Sequence, residues 1–440
     1  MDPLFLNRMK EILQNDYDKF IESLNQPSKK AFYLNNKKEN VIKHLDSQHI
    51  QQHPLVDEAY YFDYHHYPLG KSPFYMCGLY YIQEPSALLV ASQLDIQEDD
   101  YILDMCGAPG GKTCAIASKL SNKGLMISND INTLRAKILS ENVERFALEN
   151  TIVTNCDPLL FTNELNGFFD KIILDAPCSG EGMFRKQNKA VETWSLNKVK
   201  ECSLIQKKLI KAAYDLLVPG GEIIYSTCTY SKEENEDIIQ YALDSFDLSL
   251  IDIPKSHGMS EGINMKEVVR LYPHRYNGEG HFIAKLKKGN DGSIHKARLL
   301  KSNIKKDNKK TVEQFYKETL NISCPQYLLD NNNHIYAILP QFPKLEKIRV
   351  LRNGLYLGEC KKNRFIPSLA LALTLQKKDV KRSYTFKKDD DEVKKYINGQ
   401  TLEGYKEKGY GVIFVEDYPL SFYKESNHQI KNLFPKGLRR

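Results

Sequence analysis

Between Tyr101 and Thr227, short apolar runs alternate with helix-like stretches. The runs end near Met105, Ser128, Thr154, Leu174 and Thr227. Two of them, Ile172-Ile173-Leu174 and Ile223-Ile224-Tyr225, are apolar throughout. A strand buried on both faces reads this way, whereas a strand with one wet face alternates. Before the last run, Leu209, Ala212, Ala213, Leu216 and Leu217 share one helical face. Pro219-Gly220-Gly221 then stops that helix. Strand and helix in alternation predict a doubly wound α/β sheet, mostly parallel, with its ligands at the carboxyl ends of the strands. The residues that follow each apolar run are therefore the ones to read for chemistry.

The chain has 440 residues, room for about three domains. A 41% hydrophobic content supplies their cores. A net charge of +6 and a pI near 8.6 fit an anionic partner. Met1-Asp2-Pro3 opens a mixed polar stretch unlike a signal peptide. No apolar run approaches the ~20 residues that cross a membrane. The cysteines number nine, with no C-x-x-C pair and irregular spacing. That pattern suits neither zinc nor a disulfide framework, so a cytoplasmic, reducing compartment is expected. The histidines at 44, 49, 53, 65 and 66 lack partner spacing for a metal, and none is expected.

Four regions follow from the composition. Residues 1–75 form an N-terminal α+β extension, expected to bind RNA, with a tyrosine-rich patch from Tyr60 to Tyr67. Residues 76–288 carry the α/β rhythm. Residues 289–311 are lysine-rich and read as a linker, a loop on nucleic acid being the alternative. Residues 312–440 form a C-terminal α+β unit with short strands such as Gly411 to Val415, and Lys387 to Glu392 reads as a solvated turn.

After the first run comes Cys106-Gly107-Ala108-Pro109-Gly110-Gly111-Lys112-Thr113, opening a helix. Glycines there let a ligand approach the backbone and the helix amides. A phosphate loop would need glycine where Cys106 stands, and Pro109 removes an amide donor. The loop suits a nucleoside cofactor better. Asp130, at the next strand end, is placed for ribose hydroxyls. Asp157 ends the third strand and could meet the base. Either acid alone could be a turn or cap residue; with Asp175 they make three acids at successive strand tips.

Two strand ends carry thiols, Asp175-Ala176-Pro177-Cys178-Ser179-Gly180-Glu181-Gly182 and Tyr225-Ser226-Thr227-Cys228-Thr229-Tyr230. With the glycine loop and Gly78-Leu79-Tyr80-Tyr81-Ile82-Gln83-Glu84-Pro85-Ser86-Ala87, these segments resemble the Sun/RsmF family of RNA 5-methylcytosine methyltransferases. Within it, the chain is similar to the RsmF-type branch acting on 16S rRNA. The resemblance implies a Rossmann-like methyltransferase domain using S-adenosyl-L-methionine. It makes Cys228 the nucleophile, Cys178 the cysteine that assists release and Asp175 the acid that contacts the cytosine. It places the cofactor at Cys106, Gly107, Ala108, Pro109, Gly110, Gly111 and Lys112, with Asp130, Arg135, Asp157 and Asp175.

The residue types suit that chemistry. Carbon 5 of cytosine is a poor nucleophile until a thiolate adds to carbon 6, and nucleophilic catalysis of this sort divides one hard step. On the residues alone Cys178 competes with Cys228 for the attack, since DNA cytosine-5 methyltransferases use a Pro-Cys cysteine. The target base must leave its stack. Arg185, Lys186, Arg270, His274 and Arg275 are expected phosphate contacts. The end of the chain, Ile430 to Arg439, resembles a PUA-like RNA-binding domain. It lacks the family's tryptophan turn near Pro419, and the sole tryptophan is Trp194. A monomer acting on small-subunit rRNA or the subunit itself is expected. The alternatives are a tRNA cytosine-5 methyltransferase, a non-catalytic RNA-binding ribosome assembly factor, a DNA methyltransferase and a P-loop ATPase.

Overall fold

The computed structural model describes residues 1–439 except 187, 363 and 406. The central sheet has ten strands among the described residues. Those that matter here are β1 (Tyr101–Asp104), β2 (Leu125–Asn129), β3 (Thr151–Thr154), β4 (Phe169–Asp175), β5 (Leu217–Thr227), β6 (Met265–Leu271), β7 (His281–Lys288) and β8 (Val350–Asn353). Their order is β6-β7-β5-β4-β1-β2-β3-β8. The stretch from β5 to β3 is parallel, and β7 and β8 are antiparallel additions at either side. The chain runs outward from β1 to β3, then returns to the other flank of β1 as β4. The crevice between β1 and β4 is thus the switch point where doubly wound sheets bind ligands.

The apolar runs are buried on both faces as their sequence requires: Ile172, Ile173, Leu174, Ile223, Ile224 and Tyr225 have no exposed surface. Helices cover them. The main ones are α1 (Pro85–Ser92), α2 (Gly111–Ala117), α3 (Thr133–Arg145), α4 (Leu196–Leu216) and α5 (Glu236–Ser245). Leu209, Ala212, Ala213 and Leu216 of α4 pack into the core, while Leu217 already belongs to β5.

The flanking units are tied to this sheet. Tyr80–Gln83 pairs with Ala31–Leu34, so the N-terminal four-stranded sheet extends past residue 75. The lysine-rich stretch is not a free tether. His295 donates its amide to Gly167 and Leu300 to Phe342, and a helix starts at Lys306. Beyond it lie a four-stranded and a five-stranded sheet. The second holds Gly409–Val415 against Tyr418–Ser426. Its Tyr418 and Leu420 share a core with Phe32 and Phe74 of the N-terminal unit. Asp391 and Glu392, read as part of a turn, open the helix Asp391–Ile397, where negative charge faces the positive end of the helix dipole. No described helix is long and apolar enough to cross a membrane.

Candidate active site

A cleft of about 680 Å³ lies over the carboxyl ends of β1, β2, β4 and β5. Cys106, Ala108, Pro109, Gly111, Lys112, Asp130, Arg135, Asp175, Cys178 and Cys228 line it. Gly107 and Gly110 shape the loop from behind. A Cβ on Gly107 would stand 2.2 Å from Ser128 Oγ, and Gly110 takes φ +114° as it enters α2. Asp157 is exposed: its carboxylate accepts from Leu159 N, capping the helical turn Pro158–Asn163, and its neighbour Pro158 is the lining residue there.

The two thiols converge. Cys178 Sγ and Cys228 Sγ are 3.3 Å apart. The hydrogen bond to Cys228, followed by burial, pushes the Cys178 thiol well up from its ordinary range. Beside them Lys112 Nζ donates to Asp175 Oδ2 at 2.8 Å, and Ser226 Oγ donates to Asp175 Oδ1 at 2.8 Å. Burial opposes ionisation of Asp175, but Lys112 and these hydrogen bonds outweigh it and hold the carboxyl below the usual range. At neutral pH Asp175 is therefore a carboxylate that accepts hydrogen bonds, not a standing acid.

Two buried carboxylates, which sequence reasoning missed, hold the cysteine loops together. Glu181, from the Cys178 loop, accepts from Trp194 Nε1, Thr229 Oγ1, Tyr230 N and Ser231 Oγ at 2.7–2.9 Å. Glu234 accepts from Ser179 N at 2.9 Å and from Ser179 Oγ at 2.5 Å. Gly182 N also donates to Cys228 O. Burial pushes Glu234 up to about 7. Under the glycine loop, Thr113 Oγ1 donates to Asp104 Oδ2 at 2.7 Å, and burial pushes Asp104 up to about 7 as well. Glu181's position in the Cys178 loop was the only sequence signal for these groups.

Four of the five expected phosphate contacts lie against acidic partners. Arg270, 2% exposed, pairs with Glu236 through two 2.6 Å hydrogen bonds. Arg185 pairs with Glu279. Arg275 pairs with Asp16, and the largely buried His274 lies 3.6 Å from the same carboxylate. Charge inside a fold must be paired, so the buried Arg270 and Arg185 hold the loops around β6 and β7 instead of RNA, whereas Arg275 is exposed and its surface pair with Asp16 leaves it open to solvent. Lys186 is exposed and lines the cleft with Lys189 and Lys198.

The cleft has the features of a nucleoside cofactor site. Asp130 Oδ2 is buried without a hydrogen-bond donor, as expected of an acceptor meant for ribose hydroxyls, and Arg135 Nη1 lies 3.4 Å from it. Arg135 also donates to Ala108 O, fixing the loop. A Rossmann-like sheet with these groups at its switch point defines a methyltransferase fold.

Comparison with known proteins resolves the branch. Residues 91–287 match the 16S rRNA methyltransferase RsmB/F model. Residues 1–85 match the N-terminal domain of 16S rRNA methyltransferase RsmF. Residues 314–375 match the RsmF first C-terminal domain, and 383–440 the methyltransferase RsmF PUA domain. Ribosomal RNA small subunit methyltransferase F of Vibrio vulnificus is 32% identical across 99% of this chain and 97% of its own. The Aeromonas salmonicida protein of that name is 30% identical over 85% and 81%. A methyltransferase homologue from Pyrococcus horikoshii superposes with a TM-score of 0.58 at 30% identity, covering 66% of this chain and 95% of that one. The chain belongs to the RsmF family of 16S rRNA methyltransferases.

Proposed function

We propose that the chain methylates carbon 5 of a cytosine in 16S rRNA through a covalent bond between Cys228 and carbon 6 of the ring. The observation that carries this reading is the convergence of two thiols on the Lys112–Asp175 pair at the mouth of the cofactor cleft. S-adenosyl-L-methionine, when bound, supplies an electrophilic methyl group. A structural neighbour, NSun6 of Pyrococcus horikoshii (TM-score 0.58, 25% identity, covering 65% of this chain and 98% of that one), was solved with an analogue of it. The loop Cys106 to Lys112 and Asp130 would hold it, with Arg135 fixing the loop.

The rest is done by this chain's side chains. As the Cys228 sulfur adds, negative charge builds on the ring and N3 becomes basic. N3 takes its proton from water, the Asp175 carboxylate accepts the hydrogen bond of that N3–H, and Lys112 keeps the carboxylate ionised until the base arrives. Cys178 touches the attacking sulfur and is placed to assist when the carbon–sulfur bond breaks. Lys186, with Lys189 and Lys198, meets the RNA backbone, and the protein acts in the cytoplasm. A trapped adduct tests the assignment. Cys178→Ala with cofactor and 16S rRNA should accumulate a denaturant-stable protein–RNA complex, and Cys228→Ala none. The opposite pattern would make Cys178 the nucleophile.

A further inference from the structure

Nucleophilic attack by Cys228 needs a thiolate, and the site described so far has no group that takes the thiol proton. Cys178 is a poor candidate, since its own thiol is pushed up. Lys112 is held protonated by Asp175, and Asp175 is held ionised as a very weak base. The cleft also holds a histidine. His281, 5% exposed, opens β7 and faces the same cleft.

Strand alternation shows why it arrives there. Ile283 pairs with Ser226 on β5, and Ser226 reaches Asp175. Opposed residues of an antiparallel pair share a face, and each strand returns to that face after two residues. Two steps back from Ile283 is His281, and two steps on from Ser226 is Cys228. His281 and Cys228, the latter one residue past the end of β5, both line the cleft at the carboxyl end of the sheet. The strands part at this point, because Gly182 sits between Cys228 O and Gly280 N.

The imidazole is also held by a fixed relay. Ser86 Oγ lies 2.7 Å from His281 Nδ1 and hydrogen-bonds the Glu84 carboxylate. Glu84 is anchored by the amides of Ser86, Ala87 and Glu279 as the N-cap of α1. A carboxylate only accepts, so the serine proton points to Glu84 and the serine oxygen accepts from Nδ1–H. That tautomer leaves the lone pair on Nε2.

We propose that His281 is the general base that activates Cys228, with Ser86 and Glu84 as positioning residues that fix its tautomer. The proposal rests on Cys228 being the nucleophile. In the step, the S–H bond of Cys228 breaks and its proton moves to His281 Nε2, giving an imidazolium. The sulfur electron pair forms the bond to carbon 6. A nucleophile, a base and an orienting third group are what such activation requires. The charged groups around the ring are Glu84, Lys112 and Asp175. Burial, with Lys112, outweighs the two carboxylates and lowers the imidazole pKa, so the free enzyme holds it neutral and ready to accept.

The test compares His281→Gln, His281→Ala and Ser86→Ala, with thermal melting and cofactor binding checked on each. His281→Gln should slow methyl transfer about 100-fold, the low end of general-base contributions. Added imidazole should restore His281→Ala in proportion to its free-base form, an effect that a packing role would not show. Should either His281 variant fail to fold, Ser86→Ala decides. It should shift the pH optimum while leaving cofactor affinity intact, and an unmoved profile would overturn the proposal. Folded His281→Gln with near-normal turnover would overturn it too, as would folded His281→Ala that imidazole does not restore. The adduct in Cys178→Ala separates the two ideas. If it forms on Cys228 but none of these effects appears, the base assignment alone fails. If it never forms on Cys228, the nucleophile reading fails first.

Discussion

Glu181→Gln is the perturbation whose cost the structure sets most directly. The carboxylate is buried and accepts four hydrogen bonds, two on each oxygen: Trp194 Nε1 and Ser231 Oγ on Oε1, Thr229 Oγ1 and Tyr230 N on Oε2. A glutamine keeps one acceptor oxygen. Whichever oxygen becomes NH₂, it meets one hydroxyl, which can turn, and one N–H, which cannot. If Oε1 is lost the Trp194 indole is orphaned; if Oε2 is lost, the Tyr230 amide. An orphaned buried donor costs about 1–3 kcal/mol, and the weakened or re-aimed remainder adds roughly 1–2 kcal/mol. The variant should lose about 3 kcal/mol, which for a domain of this size lowers Tm by roughly 10 °C. Urea and thermal unfolding measure it. Adding Trp194→Phe should cost less in this background than in the parent, because the orphaned indole is gone. A melting curve within ~2 °C of the parent would show that the four contacts are not a shared constraint and would refute the reasoning.

Other outcomes follow from the same geometry. Lys112→Met removes the cation that does most to hold Asp175 ionised against burial, so the acid limb of the pH–rate profile should move upward. Asp104 and Glu234 sit at about 7 in the fold, above the unfolded carboxylate range. Their contribution is full below roughly pH 4 and is lost as pH rises through 7. The urea midpoint should therefore fall from pH 5 to pH 8, and Asp104→Asn should flatten part of that slope. Arg270→Ala strands Glu236 in the core and should cost about 3–5 kcal/mol by urea unfolding. Lys186→Ala should leave Tm unchanged while weakening rRNA binding, with the log–log salt slope smaller by about 1 in filter binding.

The parts legible in the sequence were those with local signatures. Apolar runs at 172–174 and 223–225 could only be buried parallel strands, and the glycine loop could only follow a strand and open a helix. The meeting of Cys178 and Cys228 follows from β4 and β5 being parallel neighbours. What escaped was pairing at long range. Arg185 looks like a phosphate contact until Glu279, 94 residues away, is seen against it in the interior. His281 carries no spacing signal because its partners Ser86 and Glu84 are brought from α1 by the sheet. Glu84 and Ser86 were visible only as part of the Gly78 to Ala87 segment that carries the family resemblance, which assigns neither of them a role.

The pairing of β8 with β3 has a consequence for how the molecule can be divided. Every residue of β3 is buried, and without β8 the strand would offer a row of unpaired amides and carbonyls. Such an edge recruits other strands and seeds aggregation. The guard strand comes from beyond the lysine-rich stretch, so the C-terminal arm is a solubility device for the catalytic sheet as well as a carrier of the PUA fold. A catalytic fragment ending at residue 288 would be born with a sticky flank, and the arm cannot be exchanged for another RNA-binding appendage unless the replacement also supplies a strand.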